Sequence, residues 1–229
     1  MGRTRNRPDR VRSREVEELQ RLVAMGEGDQ LEFKRRVPDA RRIAKEAVAF
    51  ANTDGGRILL GVDDQGSIIG LKDPEEQVFV LQEALATHTD PVVDVTLRPI
   101  PVSRKREVLV VDVRPSRARP HFVAQDDTRT AYIRIGEKSV EASREAVRLM
   151  KRSSHSPDVR FEFGDKELML MRYLDTYGRI SVAQFARLAD IRSRQASQTL
   201  VVLTRARVLQ FHTSENGDYF TAAPGRQAV

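Results

Sequence analysis

The apolar run Ile58-Leu59-Leu60-Gly61-Val62 constrains the fold of this chain more than any other stretch. It is continuous rather than alternating, which implies a strand buried on both faces. The brackets around it are equally clear. Gly55-Gly56 precedes it, and Asp63-Asp64-Gln65-Gly66 after it is turn chemistry. Ser67-Ile68-Ile69-Gly70 is expected to return as the partner strand. Upstream, Leu31 and Phe33 alternate with their neighbours as a further strand. Pro38 then opens a helix whose Ile43, Ala47, Phe50 and Ala51 form one apolar stripe. Gly55-Gly56 ends that helix, as glycine does at a helix C-terminus.

The rest of the chain is read outward from this unit. Val16, Leu19, Leu22 and Val23 predict a helix over about 15–25, stopped by Gly26 and Gly28. Pro74 opens a helix through about His88. Strands are expected at Val92 to Ile100 and Glu107 to Arg114, with Arg104-Lys105-Arg106 as a basic tip between them. Further strands are expected at Pro120 to Val123 and Thr130 to Gly136, then a helix from about Val140 to Met150. Ser153-Ser154-His155-Ser156-Pro157 reads as a linker over 153–159. Beyond it the character changes. Helices are expected at about 164–177, 181–189 and 192–206, then two short strands around Ser214-Glu215-Asn216-Gly217, and Asn-Gly is a strong hairpin signal. Three helices and a hairpin in that order is the winged helix-turn-helix layout, expected over 160–229.

Composition limits the chemistry. There is no cysteine, so neither disulfides nor a thiolate zinc site can form. No apolar run is long enough to span a bilayer, and the arginine-rich N-terminus lacks the apolar stretch of a secretory signal, so a cytoplasmic protein is expected. The net charge of +6 is unevenly placed: residues 1–14 carry +5, 15–159 carry −2 and 160–229 carry +3. Basic ends suit a polyanion, nucleic acid being the usual one, and they also suit plain solubility. Residues 1–14 hold nothing that could bury apolar surface and are expected to be a disordered basic arm, either touching phosphates or simply solvated. No Gly-x-x-x-x-Gly-Lys-Ser/Thr loop is present, so ATP is not expected. The four histidines are scattered; His121, before a strand, could line a site, but none has a second ligand at metal spacing.

Gly26-Glu27, Leu31-Glu32-Phe33-Lys34, Phe50-Ala51-Asn52-Thr53-Asp54-Gly55-Gly56, Gly61-Val62-Asp63-Asp64 and Gly66, in that order and spacing, resemble the Schlafen-type domain of bacteria, also called the divergent AlbA-like domain. Ala131-Tyr132-Ile133-Arg134-Ile135-Gly136 resembles that family's closing strand. The resemblance covers about residues 15–152. It implies an α+β fold, a mixed sheet with helices, and DNA binding, often joined in bacteria to a helix-turn-helix. Some members of the family are metal-dependent RNA endonucleases with three catalytic carboxylates. By motif position these fall on Glu27, Glu32 and Asp64, which would then hold Mg²⁺ or Mn²⁺. Hard cations of this kind take oxygen ligands and can activate water. Glu27 and Glu32, an odd number apart, would point to opposite faces of a regular strand, although Gly28 allows a bend. The same residues also have structural readings. Asp63 and Asp64 suit a hairpin turn, Glu27 could meet a helix end, and Glu32 could pair with Lys34. Lys34 is in turn a candidate contact to nucleic acid.

The C-terminal reading rests on one helix. Ala196, Leu200 and Leu203 lie at i, i+4 and i+7 and should face the core. That turns Arg192, Ser193, Arg194, Gln195, Ser197, Gln198 and Thr199 outward, and these side chains suit DNA: arginine for guanine, glutamine for adenine, hydroxyls for phosphate. Arg205 and Arg207 are candidates for the DNA backbone, and no acidic residue interrupts 191–214. Glu215 and Asp218 should lie near the hairpin tip. The alternative is a winged helix used for protein contact or dimerisation. The chain is thus expected to be a two-domain, nucleic-acid-binding protein, with DNA favoured over RNA and transcriptional regulation as its role. DNA binding needs no cofactor, and a homodimer is compatible with such a role. Metal-dependent RNA cleavage and a pure interaction module are the alternatives.

Overall fold

The computed structural model describes residues 7–151 and 164–224, with side chains from Arg14 onward. They form two compact units, Met1–Glu141 and Ala142–Val229.

The first unit opens with α1 (Arg7–Met25), which ends at Gly26, where φ is +76° and the N–H donates to the Val23 carbonyl at 3.1 Å. The chain then enters β1 (Leu31–Lys34) and crosses through α2 (Ala40–Asn52) to β2 (Gly56–Leu60), which pairs with β1 in parallel. Asp39 caps α2 by accepting from the Arg41 N–H at 3.0 Å. α3 (Pro74–His88) starts with proline in its first turn and Asp73 as its cap. There follow β3 (Thr89–Asp90), β4 (Val95–Ser103), β5 (Arg106–Val113), β6 (Phe122–Gln125), β7 (Thr128–Thr130), β8 (Tyr132–Ile135) and β9 (Lys138–Glu141). The main sheet runs β1-β2-β5-β4, with β5 antiparallel to both neighbours. A smaller sheet runs β3-β6-β7, and β8 and β9 form a hairpin.

The apolar run at the centre is buried on both faces, as its composition demands. Ile58 and Leu60 pack with Ala47, Phe50 and Leu81 under α2 and α3. Leu59, pointing the other way, packs with Leu19 of α1, Phe33 and Val110. Successive strand residues face opposite sides, so one pentapeptide needs a helical layer on each. Gly55 is required where α2 hands over to β2. Its φ is +74°, and a Cβ there would lie 2.7 Å from the Val113 carbonyl oxygen and from Pro115 Cδ.

Four local expectations change. The disordered arm over 1–14 is not what residues 7–14 form: α1 begins at Arg7, and Pro8 falls in its first turn, where its missing N–H costs nothing. The remainder of the arm, residues 1–6, lies outside the described residues. Ser67–Gly70 is no full strand; the return is a single Val62–Ile68 bridge. Gly61 and Gly70 both have positive φ, and the Ile69 and Gly70 N–H groups converge on the Gly61 carbonyl at 2.8 and 2.9 Å, which turns the chain away. Thr130–Gly136 divides at Ala131 into β7 and β8, in separate sheets. The expected helix from Val140 begins instead as β9, because the turn at Gly136 (φ +57°) sets Val140 opposite Ile133.

The second unit contains α4 (Arg144–Met150), α5 (Asp165–Tyr177), α6 (Val182–Leu188), α7 (Ser193–Arg205), β10 (Leu209–His212) and β11 (Tyr219–Ala222). Leu170, Leu174, Phe185, Leu200, Leu203 and Phe220 form its core. Gly178, at φ +75°, ends α5, and Ser181 with Gln184 makes a capping box for α6. β10 and β11 are antiparallel, and Ile180 bridges to Phe220 beside them. α4 falls in this unit, not in the first domain to 152 that the sequence predicts. The linker expected at 153–159 lies outside the described residues. Among the described residues no helix is long and apolar enough to cross a membrane.

Candidate functional site

Glu27 and Glu32 are brought to the same region by a tight turn ahead of β1. The Gly28 N–H donates to the Leu31 carbonyl at 3.0 Å, folding Glu27 back alongside the strand. Its Oε1 then accepts from the Phe33 N–H at 2.7 Å. Burial pushes the Glu27 carboxyl above the ordinary carboxylate value; the Phe33 bond opposes this, and the nearby Glu32 and Asp64 charges add to it. The bend at Gly28 thus overcomes the strand parity that would have separated the two glutamates.

Glu32 is already committed. It is 6% exposed, and its Oε2 accepts from Arg134 Nη2 at 2.7 Å while Oε1 pairs with Lys34 Nζ. Arg134, on β8, has a side chain only 1% exposed. Its guanidinium also donates to the Gly28 and Leu31 carbonyls at 3.0 and 3.2 Å and to Glu46 Oε2 at 3.0 Å, and it lies over the Phe50 ring. Ser139 donates to the same Glu46 oxygen. Lys34, besides Glu32, donates to the Phe33 carbonyl at 2.9 Å, so its ammonium is turned into the protein's own bonds.

The two aspartates of the turn differ. Asp63 is buried and accepts from the Gln65 and Ser67 N–H groups at 3.1 and 2.8 Å; the Ser67 bond above all holds its carboxyl below the usual value. Asp64 is exposed. Among the described residues no three His, Cys, Asp or Glu side chains are grouped to hold a metal ion. With Glu32 neutralised by two cations and Glu27 bound to backbone, these residues as arranged do not fit the three-carboxylate Mg²⁺ or Mn²⁺ centre expected on Glu27, Glu32 and Asp64.

The Phe50–Gly56 motif has a structural use that its sequence did not disclose. Asn52 Nδ2 donates to the His121 and Tyr132 carbonyls, both at 2.9 Å, and Asn52 Oδ1 accepts from the His121 N–H at 2.7 Å. Thr53 Oγ1 accepts from the Arg134 N–H at 2.9 Å. His121 has Nδ1 2.7 Å from the Pro91 carbonyl and Nε2 2.7 Å from Ser116 Oγ. It lines a cleft of about 460 Å³ with Ser116, Asp94, Asp112, Arg114 and Arg117.

In the second unit, α7 presents Ser193, Arg194, Gln195 and Gln198 to solvent, with Arg192 exposed at its cap, while Ala196, Leu200 and Leu203 are buried. Ser197 departs from the outward expectation: it is 4% exposed. Its hydroxyl accepts from Arg148 Nη1 at 2.7 Å and donates to Glu145, both on α4. Arg205 is half-buried and donates to the Arg148 carbonyl at 2.7 Å, so it helps to hold α4. Arg207 is exposed, at φ +57°, in the turn before β10. Asp218 is drawn inward towards Ser143 rather than standing on the hairpin tip, and burial raises its carboxyl pKa. Arg134, Glu46, Ser139 and Arg148 were missed as site-forming residues. The one signal in the sequence was a lone arginine between Ile133 and Ile135 in an apolar strand.

Comparison with known proteins places the first unit. No curated protein is similar enough to the chain to count as a match. Among solved structures, the DIP2311 protein from Corynebacterium diphtheriae is 17% identical, with a TM-score of 0.45 over 92% of this chain and 39% of its own. The chain therefore spans well under half the length of that relative. The N-terminal domain of a RecG-related protein from Nitrosomonas europaea is 22% identical, with a TM-score of 0.41 over 64% of this chain and 97% of its own. The profile of the family described as "Schlafen, AlbA_2" matches residues 27–143, a span from Glu27 past the end of β9, and the chain belongs to that family.

Proposed function

We propose that this protein is a cytoplasmic, DNA-binding transcriptional regulator whose second unit is a winged helix-turn-helix. One observation carries the reading. α7 turns Arg194, Gln195 and Gln198, with Arg192 at its cap, away from the Leu200 and Leu203 core, and no carboxylate lies on the chain from Ile191 to Ser214 to repel phosphate. Gln195 and Gln198 can each present an amide to adenine, and the arginines can meet guanine or phosphate. The first turns of such a helix are where base contacts form. Family membership of the first unit supports nucleic-acid binding in general.

RNA cleavage ranks second, since it would require Glu32 to exchange Arg134 and Lys34 for a metal ion. The test is a selection from randomised duplex DNA with the wild type and Gln198→Ala. We expect the wild type to enrich one sequence and the variant to lose preference at one base position, worth about 1–3 kcal/mol. A wild type that enriches nothing refutes the reading. Parallel incubation of duplex DNA and transfer RNA with Mg²⁺ or Mn²⁺ separates the two functions: retention without cutting is expected, and metal-dependent cutting would favour the nuclease.

A further inference from the structure

α4 lies along one flank of α7. Between them is a cleft of about 320 Å³ whose lining includes Arg144, Glu145, Arg148, Ser193, Arg194 and Ser197. Three guanidinium groups therefore share a space with one carboxylate, and that carboxylate already accepts from the Ser197 hydroxyl. Arg148 is held in place by Ser197 through Nη1. Arg144 and Arg194 are exposed, and among the described residues neither takes part in an ion pair. Arg194 is one turn before Gln198, so the cleft borders the face of α7 assigned above to base contacts.

We propose that this cleft grips one backbone phosphate of duplex DNA, with Arg144 and Arg194 donating to its oxygens and the Ser193 hydroxyl beside them. Planar guanidinium groups match phosphate oxygens bidentately. α4 then belongs to the DNA-binding surface, and its bonds to Ser197 and from Arg205 fix the width of the grip. The proposal rests on the DNA-reading role of α7.

The experiment measures binding of the full chain to a short mixed-sequence duplex across a salt series, for the wild type, Arg144→Gln and Arg194→Gln. Each variant should bind all duplexes more weakly and show a shallower log–log salt slope, by at most about 0.9, the share of the one phosphate that the two arginines hold together. Between about 50 and 200 mM salt, the wild type's advantage should then shrink by up to about 3.5-fold. The variants should melt at the wild-type temperature, since both arginines are exposed. Unchanged slopes in either variant, with the wild type still bound, overturn the shared phosphate grip and leave the reading helix standing. Absence of wild-type binding overturns both.

Discussion

Replacing Arg134 with methionine should destabilise the first unit by about 3–5 kcal/mol, the cost of removing one partner from a buried ion pair. The guanidinium joins Glu32, Glu46 and the Gly28 and Leu31 carbonyls, which come from the turn before β1, from β1 itself and from α2. Without it, Glu32 keeps Lys34 but loses its fully buried cation, and two carbonyls lose a donor. That loss is a large part of the roughly 5–15 kcal/mol that holds a typical domain folded. Urea unfolding followed by far-UV circular dichroism would measure it, since the chain has no tryptophan. Amide exchange in β1 would locate the loss in this unit. The companion variant is decisive. In the Arg134→Met background, Glu32→Met should recover part of the loss, because it removes the stranded carboxylate, whereas in the wild type it should be costly. A loss below about 1 kcal/mol for Arg134→Met, the range of exposed pairs, would refute the reasoning. So would an equal cost of Glu32→Met in both backgrounds.

Glu27→Gln should raise the thermal midpoint near neutral pH and change it little in acid. The folded-state pKa of Glu27 is raised, chiefly by burial, so its contribution to stability is present below the unfolded pKa and fades as pH rises through the folded value; glutamine keeps an acceptor for the Phe33 N–H without the charge. Melting curves at both pH values check this, and equal shifts at both would contradict it. Asn52→Leu should strand the His121 N–H and the His121 and Tyr132 carbonyls, at about 1–3 kcal/mol for each orphaned group; a chemical denaturation midpoint within error of wild type would disprove that role.

Local pattern was enough for much of this protein. The doubly buried strand at Ile58–Leu60, the stripe on α2, the cap glycines, the change of character after the first domain and the core face of α7 all follow from periodicity and turn chemistry, which act over a few residues. The family motifs also single out Glu27, Glu32 and Asp63-Asp64 as a unit, and the bend at Gly28 explains how the Glu32 charge comes near enough to act on Glu27. What those carboxylates do was decided by distant chain. Arg134 reaches Glu32 across 102 positions, and no spacing rule connects a lone arginine on β8 to a glutamate on β1. Asn52 reads as a helix-end residue and becomes a joint only because the His121 and Tyr132 backbones fold over it. Val140 has helical neighbours in sequence but a β partner in Ile133. Ser197 lies on the polar side of its own helix and is nevertheless buried, because α4 packs there. A helix's own periodicity determines which side faces its core. Only the tertiary structure decides which of its polar sides another element covers, because that choice is made by contacts between segments far apart in the chain.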